Sequence, residues 1–141
     1  MNVKIKRIDP NVPMPEYKTD GAVAFDLHVR EGVTIGPGES KLVKTGYVMA
    51  VPEGHALLLF PRSSNAKKQL SFGNGVGVID QDYCGPEDEL RLALHNHGSE
   101  VYTVEAYERL GQGIFVPVSR AEFEEVEEME APNRGGFGTT G

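Results

Sequence analysis

Cysteine is almost missing from this chain. Cys84 stands alone among 141 residues, which excludes an intrachain disulfide and a cysteine-based zinc site. No apolar run approaches the roughly 18 residues that a membrane span needs. The N-terminal stretch MNVKIKRIDP lacks the apolar core of a secretory signal. The expectation is a cytoplasmic protein with no membrane partner. Basic residues are also in deficit, with 14 Lys and Arg against 21 Asp and Glu and a formal net charge of −7. That argues against nucleic-acid partners, whose recognition rests on basic surfaces. It does not exclude a phosphorylated small molecule, provided the few cations sit where phosphate would. There is no GxxxxGKS loop and no GxGxxG after a strand, so the common nucleotide-binding folds are not indicated. His28, His55, His95 and His97 show no zinc-ligand spacing and read as structural or surface residues. No serine–histidine–acid arrangement stands out.

What is present is ordinary in amount and distinctive in order. The length and a hydrophobic content of 39% suit one domain with a core large enough to fold alone. Short strand-like segments recur at 1–8, 22–29, 33–35, 41–51, 55–60, 88–96, 100–104 and 113–119, separated by Gly and Pro turns. HALLLF at 55–60 has the continuous apolar character of a fully buried strand. Pro61, Ser63 and Ser64 open the one plausible helix, near residues 63–69. Many short strands at regular spacing predict an all-β fold, a sandwich or a closed barrel such as a jelly roll. Residues 121–130, AEFEEVEEME, repeat Phe123, Val126 and Met129 at intervals of three, but six glutamates favour a solvated face. The last ten residues, PNRGGFGTTG, contain no core element.

The densest chemical text is FGNGVGVIDQDYCG at 72–85. Asn74-Gly75 predicts a tight hairpin turn. Asp80 and Asp82 follow on one strand face, as a possible magnesium or general-base pair or simply as strand-end acids facing water. Arg62, Ser63 and Ser64 combine a guanidinium fork with hydroxyls and free N–H groups at a helix start, which suits phosphate. Taken alone they read as a plain N-cap. Asp26, between Phe25 and Leu27, is either a metal-water contact or an acid paired with an arginine to hold the fold. Gln112 is a phosphate contact or a turn amide. In the glycine-rich tail, Arg134 can pair with phosphate, and Phe137 has no core to enter and suits a base.

Five segments in fixed order, AFDLHV (24–29), PRSS (61–64), GNGVGVIDQDYCG (73–85), ERLGQ (108–112) and RGGFGTTG (134–141), give the chain its resemblance to the homotrimeric dUTPase (deoxyuridine triphosphate nucleotidohydrolase) family. The resemblance implies a jelly-roll-like β-barrel over residues 1–132 and a flexible C-terminal lid over 133–141. It implies a homotrimer whose active sites are shared between subunits, with Mg2+ as cofactor. The implied reaction is hydrolysis of dUTP to dUMP and pyrophosphate, which keeps uracil out of DNA and supplies dUMP for thymidylate synthesis. Asp80 would bond the sugar 3′-hydroxyl and activate the water that attacks the α-phosphorus. Tyr83 would pack on the deoxyribose and leave no room for a ribose hydroxyl. Asn74 and the hairpin backbone would read the uracil edge, with Val78 among the substrate-binding residues. Arg62, Ser63, Ser64 and Gln112 would hold phosphates, and Asp26 would reach magnesium through water. Arg134, Phe137, Gly138 and Thr139 would close over the site, Phe137 stacking on uracil. The order requires the chain to bend after Asp80, since a straight strand would turn Tyr83 to the opposite face. Pro86-Glu87-Asp88 are extra relative to the family pattern and follow that bend. Three alternatives are a dCTP deaminase-type or bifunctional enzyme on the same fold, a dUTP-binding regulatory protein, and a structural jelly roll with no active site, which would leave the Phe137 tail and the order of the motifs unexplained.

Overall fold

The computed structural model describes residues 1–139, so Thr140 and Gly141 of the last motif lie outside the described residues. Eleven strands and one short 3-10 helix form among them. In chain order the strands are β1 (Ile5–Arg7), β2 (Phe25–His28), β3 (Val33–Ile35), β4 (Ser40–Lys44), β5 (Tyr47–Met49), β6 (His55–Pro61), β7 (Leu70–Phe72), β8 (Gly77–Ile79), β9 (Arg91–Asn96), β10 (Tyr102–Val104) and β11 (Arg109–Pro117). The 3-10 helix covers Ser63–Lys68, in the place the proline–serine start signal predicts. No helix among the described residues is long and apolar enough to cross a membrane.

One sheet has the order β2-β11-β6-β8, and a second runs β4-β9-β7. The pairs β1-β5 and β3-β10 complete the structure. All the strand pairings are antiparallel. The core joins the inward residues of the two larger sheets, among them Leu27, Leu57, Leu59, Leu92, Leu94 and Leu110. This is the all-β, jelly-roll-like architecture that the strand spacing predicts.

Two local expectations change. Asn74-Gly75 does form a tight turn, with Gly75 at φ +73° and its N–H on the Phe72 carbonyl at 3.0 Å. The flanking strands do not pair with each other, however: β7 pairs with β9, and β8 with β6. The turn is therefore a passage between two sheets, which leaves its tip and the outer edge of β8 exposed. Strand β6 is not uniformly buried. Leu57 and Leu59 face the core, while Ala56 and Leu58 are half-exposed. Residues 121–130 keep the solvated face that their glutamates favour, with no helix and with Phe123, Val126 and Met129 all facing solvent.

Glycines on β11 explain how large side chains cross beneath it. A Cβ at Gly113 would lie 2.5 Å from Phe25 Cζ, and one at Gly111 would lie 2.8 Å from Leu92 Cδ2. Phe25 stacks on Phe115 from the same strand at 5.6 Å between ring centres. Gly113→Ala should therefore overpack the core and cost about 1–3 kcal/mol. Urea unfolding would measure this, and an unchanged midpoint would contradict the close packing.

Candidate active site

Two groups of predicted site residues occupy different ends of one sheet. The first is built where β2, β6 and β11 end together. Asp26 is 8% exposed. Its Oδ1 meets Arg62 Nε at 2.8 Å, and its Oδ2 meets Arg109 Nη1 at 2.9 Å. Arg62 Nη1 also donates to the Arg109 carbonyl at 3.3 Å. Asp26 is thus an acid paired with arginine, one of the two readings its place between Phe25 and Leu27 allowed. Sequence reasoning left Arg109 without a role. Its place follows from the strand register, which puts Arg109 opposite His28. Gln112 is a strand residue opposite Asp26 and not a turn amide, and its Nε2 donates to the Pro61 carbonyl at 3.0 Å.

The 3-10 helix leaves from this corner. Arg62 precedes it in an extended conformation and offers no side-chain cap. Asn65 anchors the helix by donating to the Leu110 carbonyl at 2.8 Å. Lys68 pairs with Glu108, which also accepts from the Tyr102 hydroxyl at 2.6 Å. Burial pushes the Glu108 carboxyl up, but its bonds from Lys68, Tyr102 and the Glu105 N–H outweigh that and hold it below the usual range. Ser63 is exposed, while the Ser64 hydroxyl is buried with no partner among the described residues. A buried hydroxyl without a partner is costly and suits a ligand that completes it.

Behind Asp26 lies a second buried polar group. The Tyr47 hydroxyl is 2.6 Å from the Pro13 carbonyl, which can only accept. The hydroxyl therefore donates there and accepts from His28 Nδ1–H at 3.1 Å. This fixes a neutral tautomer of His28. Burial, with the Arg109 cation second, lowers the His28 pKa, and burial pushes the Tyr47 hydroxyl up to about 12.

The second group follows β8. Ile79 pairs with Leu57, so Asp80 emerges beside Ala56 and His55. Asp80, Asp82, Gln81, His55, Val118 and Arg120 line an open groove of about 470 Å3. The chain bends after Asp80, with the Tyr83 N–H on the Asp80 carbonyl at 3.3 Å. The expected bend is present. Tyr83 is partly exposed and donates its hydroxyl to the Glu89 carbonyl at 3.1 Å. Val78 and Asn74 are exposed along the same edge.

These two groups do not meet within one chain. The six residue steps from Ala56 to Arg62 span roughly 20 Å at the usual strand rise. Asp26 lies three strands across the sheet from β8. Among the described residues, the tail makes no hydrogen bond or ion pair to either group. Gly136 and Thr139 close a small turn of their own, with the Gly136 N–H on Thr139 Oγ1 at 2.8 Å. Gly138 sits at φ +88° and Phe137 at φ +51°, with its ring fully exposed. Arg134 is exposed as well.

Magnesium fits this donor set in a restricted way. No cluster of three His, Cys, Asp or Glu residues among the described ones offers a metal cage. Asp26 spends both oxygens on guanidinium N–H groups, which disfavours direct ligation and leaves room for contact through water. That suits an ion carried mainly by substrate phosphates and water, the usual habit of magnesium at phosphate sites.

The buried imidazole has a pH consequence. The folded-state pKa of His28 lies below its ordinary value of 6.5, so the unfolded chain takes up the proton first. Stability is full above that value and falls as the pH drops through it toward the folded-state pKa. Urea midpoints taken from about pH 7.5 to about pH 5.5 should decline, and less steeply in His28→Gln. Equal slopes would show that His28 does not titrate with unfolding.

Comparison with known proteins agrees with this geometry. The sequence model of the dUTPase family matches residues 10–141. The deoxyuridine 5'-triphosphate nucleotidohydrolase of Nautilia profundicola is 40% identical over 144 residues, covering all of this chain and 99% of the relative. The crystal structure of dUTPase from Streptococcus mutans superposes with a TM-score of 0.78 at 35% identity, covering 84% of this chain and 98% of that one. The Staphylococcus bacteriophage 80alpha dUTPase, determined with dUpNHpp, gives a TM-score of 0.87 at 26% identity, covering 99% of this chain and 98% of that one. On its sequence and its fold alike, the chain belongs to the dUTPase family.

Proposed function

We propose that this dUTPase-family enzyme hydrolyses dUTP to dUMP and pyrophosphate at sites completed by more than one chain. The separation of Asp80 from the Arg62 corner carries the assembly part of this reading. A water-activating base and a phosphate clamp must both lie within hydrogen-bond reach of one phosphoryl group and its attacking water. Within one chain they stand roughly 20 Å apart at the usual strand rise. A second copy that presents its Arg62 corner to the Asp80 groove resolves this. The homotrimer implied by the family resemblance is the assembly we infer.

In that arrangement Asp80 holds the sugar 3′-hydroxyl and takes a proton from the attacking water. The water attacks the α-phosphorus, and pyrophosphate leaves in line. Arg62, Ser63, Ser64 and Gln112 hold the phosphates, with the unpartnered Ser64 hydroxyl free to donate to a phosphate oxygen. Magnesium bound by the triphosphate would neutralise charge there, with Asp26 positioned to contact its water shell. Asn74, Val78 and the neighbouring backbone read the uracil, and a site that hydrogen-bonds the base discriminates better than one that only fits it. Tyr83 packs on the deoxyribose. The Arg134–Thr139 segment closes over the ligand, and the exposed Phe137 ring gains a partner in the base. Closure excludes bulk water and strengthens the charge contacts inside.

The test is pyrophosphate release from dUTP, dTTP, dCTP and UTP, with ammonia measured alongside. Release confined to dUTP, without ammonia, is expected. Ammonia from dCTP would instead indicate the deaminase chemistry. Asp80→Asn should abolish turnover and keep dUTP binding within about tenfold, because the phosphate clamp survives. Turnover near wild type would sink the role of Asp80. Mixed trimers of Asp80→Asn chains and chains truncated before Arg134 should regain part of the activity. No recovery in verified mixed assemblies would count against shared sites.

A further inference from the structure

The loop after Asp80 is held by a buried ion pair with no part in the mechanism above. The Glu89 side chain is 6% exposed. One of its oxygens accepts the Gly46 N–H at 2.7 Å and lies 2.9 Å from Arg30 Nε. The other accepts from Arg30 Nη2 at 3.3 Å. Gly46 stands at φ +79°, in the turn between β4 and β5. The peptide that joins Glu89 to Leu90 is fixed from both sides. Its N–H donates to the Tyr47 carbonyl at 2.8 Å, and its carbonyl receives the Tyr83 hydroxyl at 3.1 Å. The peptide is planar, so pinning the N–H to the sheet also fixes the direction of the carbonyl.

The Pro86–Asp88 insert makes this contact possible. Asp88 Oδ2 accepts the Gly85 N–H at 2.7 Å, and the Asp88 N–H returns to the Gly85 carbonyl at 3.1 Å. Lys6 on β1 donates to the Pro86 carbonyl at 2.9 Å. The insert is a closed turn that brings Glu89 back to the tip of Tyr83.

We propose that Glu89, held by Arg30 and Gly46, is a positioning residue that sets sugar selectivity by pinning Tyr83. This rests on the reading of Tyr83 as the wall against the ribose 2′-hydroxyl. A wall excludes one extra hydroxyl only if it does not yield, and shape alone rejects such an analogue weakly. Tyr83 is partly exposed, so packing alone does not hold its ring. The bond from its hydroxyl to a fixed carbonyl supplies the missing constraint. A buried carboxylate–guanidinium pair is a poor source of stability compared with apolar packing, and fixing one geometry is a better reason for it.

The test is the ratio of kcat/KM for dUTP to that for UTP, read by pyrophosphate release from the full-length enzyme. Variants are Glu89→Gln, Tyr83→Phe, their combination and Tyr83→Ala, compared where circular dichroism shows each folded. Glu89→Gln and Tyr83→Phe should each lower the ratio roughly fivefold, the size of one hydrogen bond. The loss should arise mainly from a lower KM for UTP. The double variant should lose little more than either single one, since both break one unit. If Tyr83→Ala loses selectivity while Glu89→Gln and Tyr83→Phe keep it, the wall stands and the pinning proposal falls. If Tyr83→Ala keeps selectivity, the wall reading falls and the proposal falls with it. A lowered urea midpoint for Glu89→Gln with an unchanged ratio would mark Glu89 as merely structural and overturn the proposal. Should Glu89→Gln not fold, Tyr83→Phe decides alone, and an unchanged ratio overturns the proposal.

Discussion

Asp26 is the point on which the phosphate corner depends. It is buried under two guanidinium groups that come from segments 36 and 83 residues further along the chain. Those segments are the PRSS and ERLGQ motifs, so one carboxylate ties three of the five motifs together. A buried acid with one partner removed typically costs about 3–5 kcal/mol. Here the arginine side chains remain 25% and 40% exposed, and solvent screening reduces that figure to about 1–3 kcal/mol. The geometric effect is larger than the energetic one. Without Asp26, Arg62 would keep only its longer bond to the Arg109 carbonyl, and the entry to the 3-10 helix would lose its fixed direction.

A consequence runs from this corner to assembly. Charge neutralised by Asp26 is not fully available to a substrate, since one carboxylate answers two cations. The corner keeps a surplus of about one positive charge, enough to attract phosphate without making the surface generally basic. That reconciles a chain of net charge −7 with a triphosphate substrate. The proposed phosphate clamp and the proposed base lie at different ends of β6, just beyond the strands that lead to them. In the proposed assembly a second copy brings the two together.

Much of this fold was legible in the sequence, and the exceptions share a cause. Strands at 25–28, 33–35, 55–61 and 91–96 and the helix at 63–68 follow from periodicity and from Pro and Gly placement. Those are local signals. The partners of β7 and β8 were not legible, because Asn74-Gly75 specifies a tight turn and says nothing about which sheet each flank joins. The pairing of Asp26 with Arg109 was hidden in the same way. It depends on the register of β11 against β2, including the irregularity between Arg109 and Gly111. The three-residue spacing of Phe123, Val126 and Met129 was weak evidence for a helix, and all three side chains stay exposed. The five motifs singled out the candidate site residues. Their spatial division into two groups could come only from the strand order.

The bend after Asp80 shows how a local departure from a pattern becomes a structural device. In the proposed site Asp80 and Tyr83 serve one ligand from one short segment, and a regular strand cannot turn both toward it. The turn that closes on the Asp80 carbonyl solves the direction problem but leaves Tyr83 on a loop, the kind of element that usually moves most. Loops hold a side chain firmly only when something outside them fixes its far end. The Pro86–Asp88 turn folds the chain back so that the Glu89 carbonyl can do this. Glu89 in turn is fixed by Arg30, which follows directly from β2, the strand that carries Asp26. The proposed sugar wall and the proposed phosphate corner of one chain therefore trace back to the same stretch of backbone. In the proposed assembly, movement of β2 would be felt at both of the sites to which its chain contributes these groups.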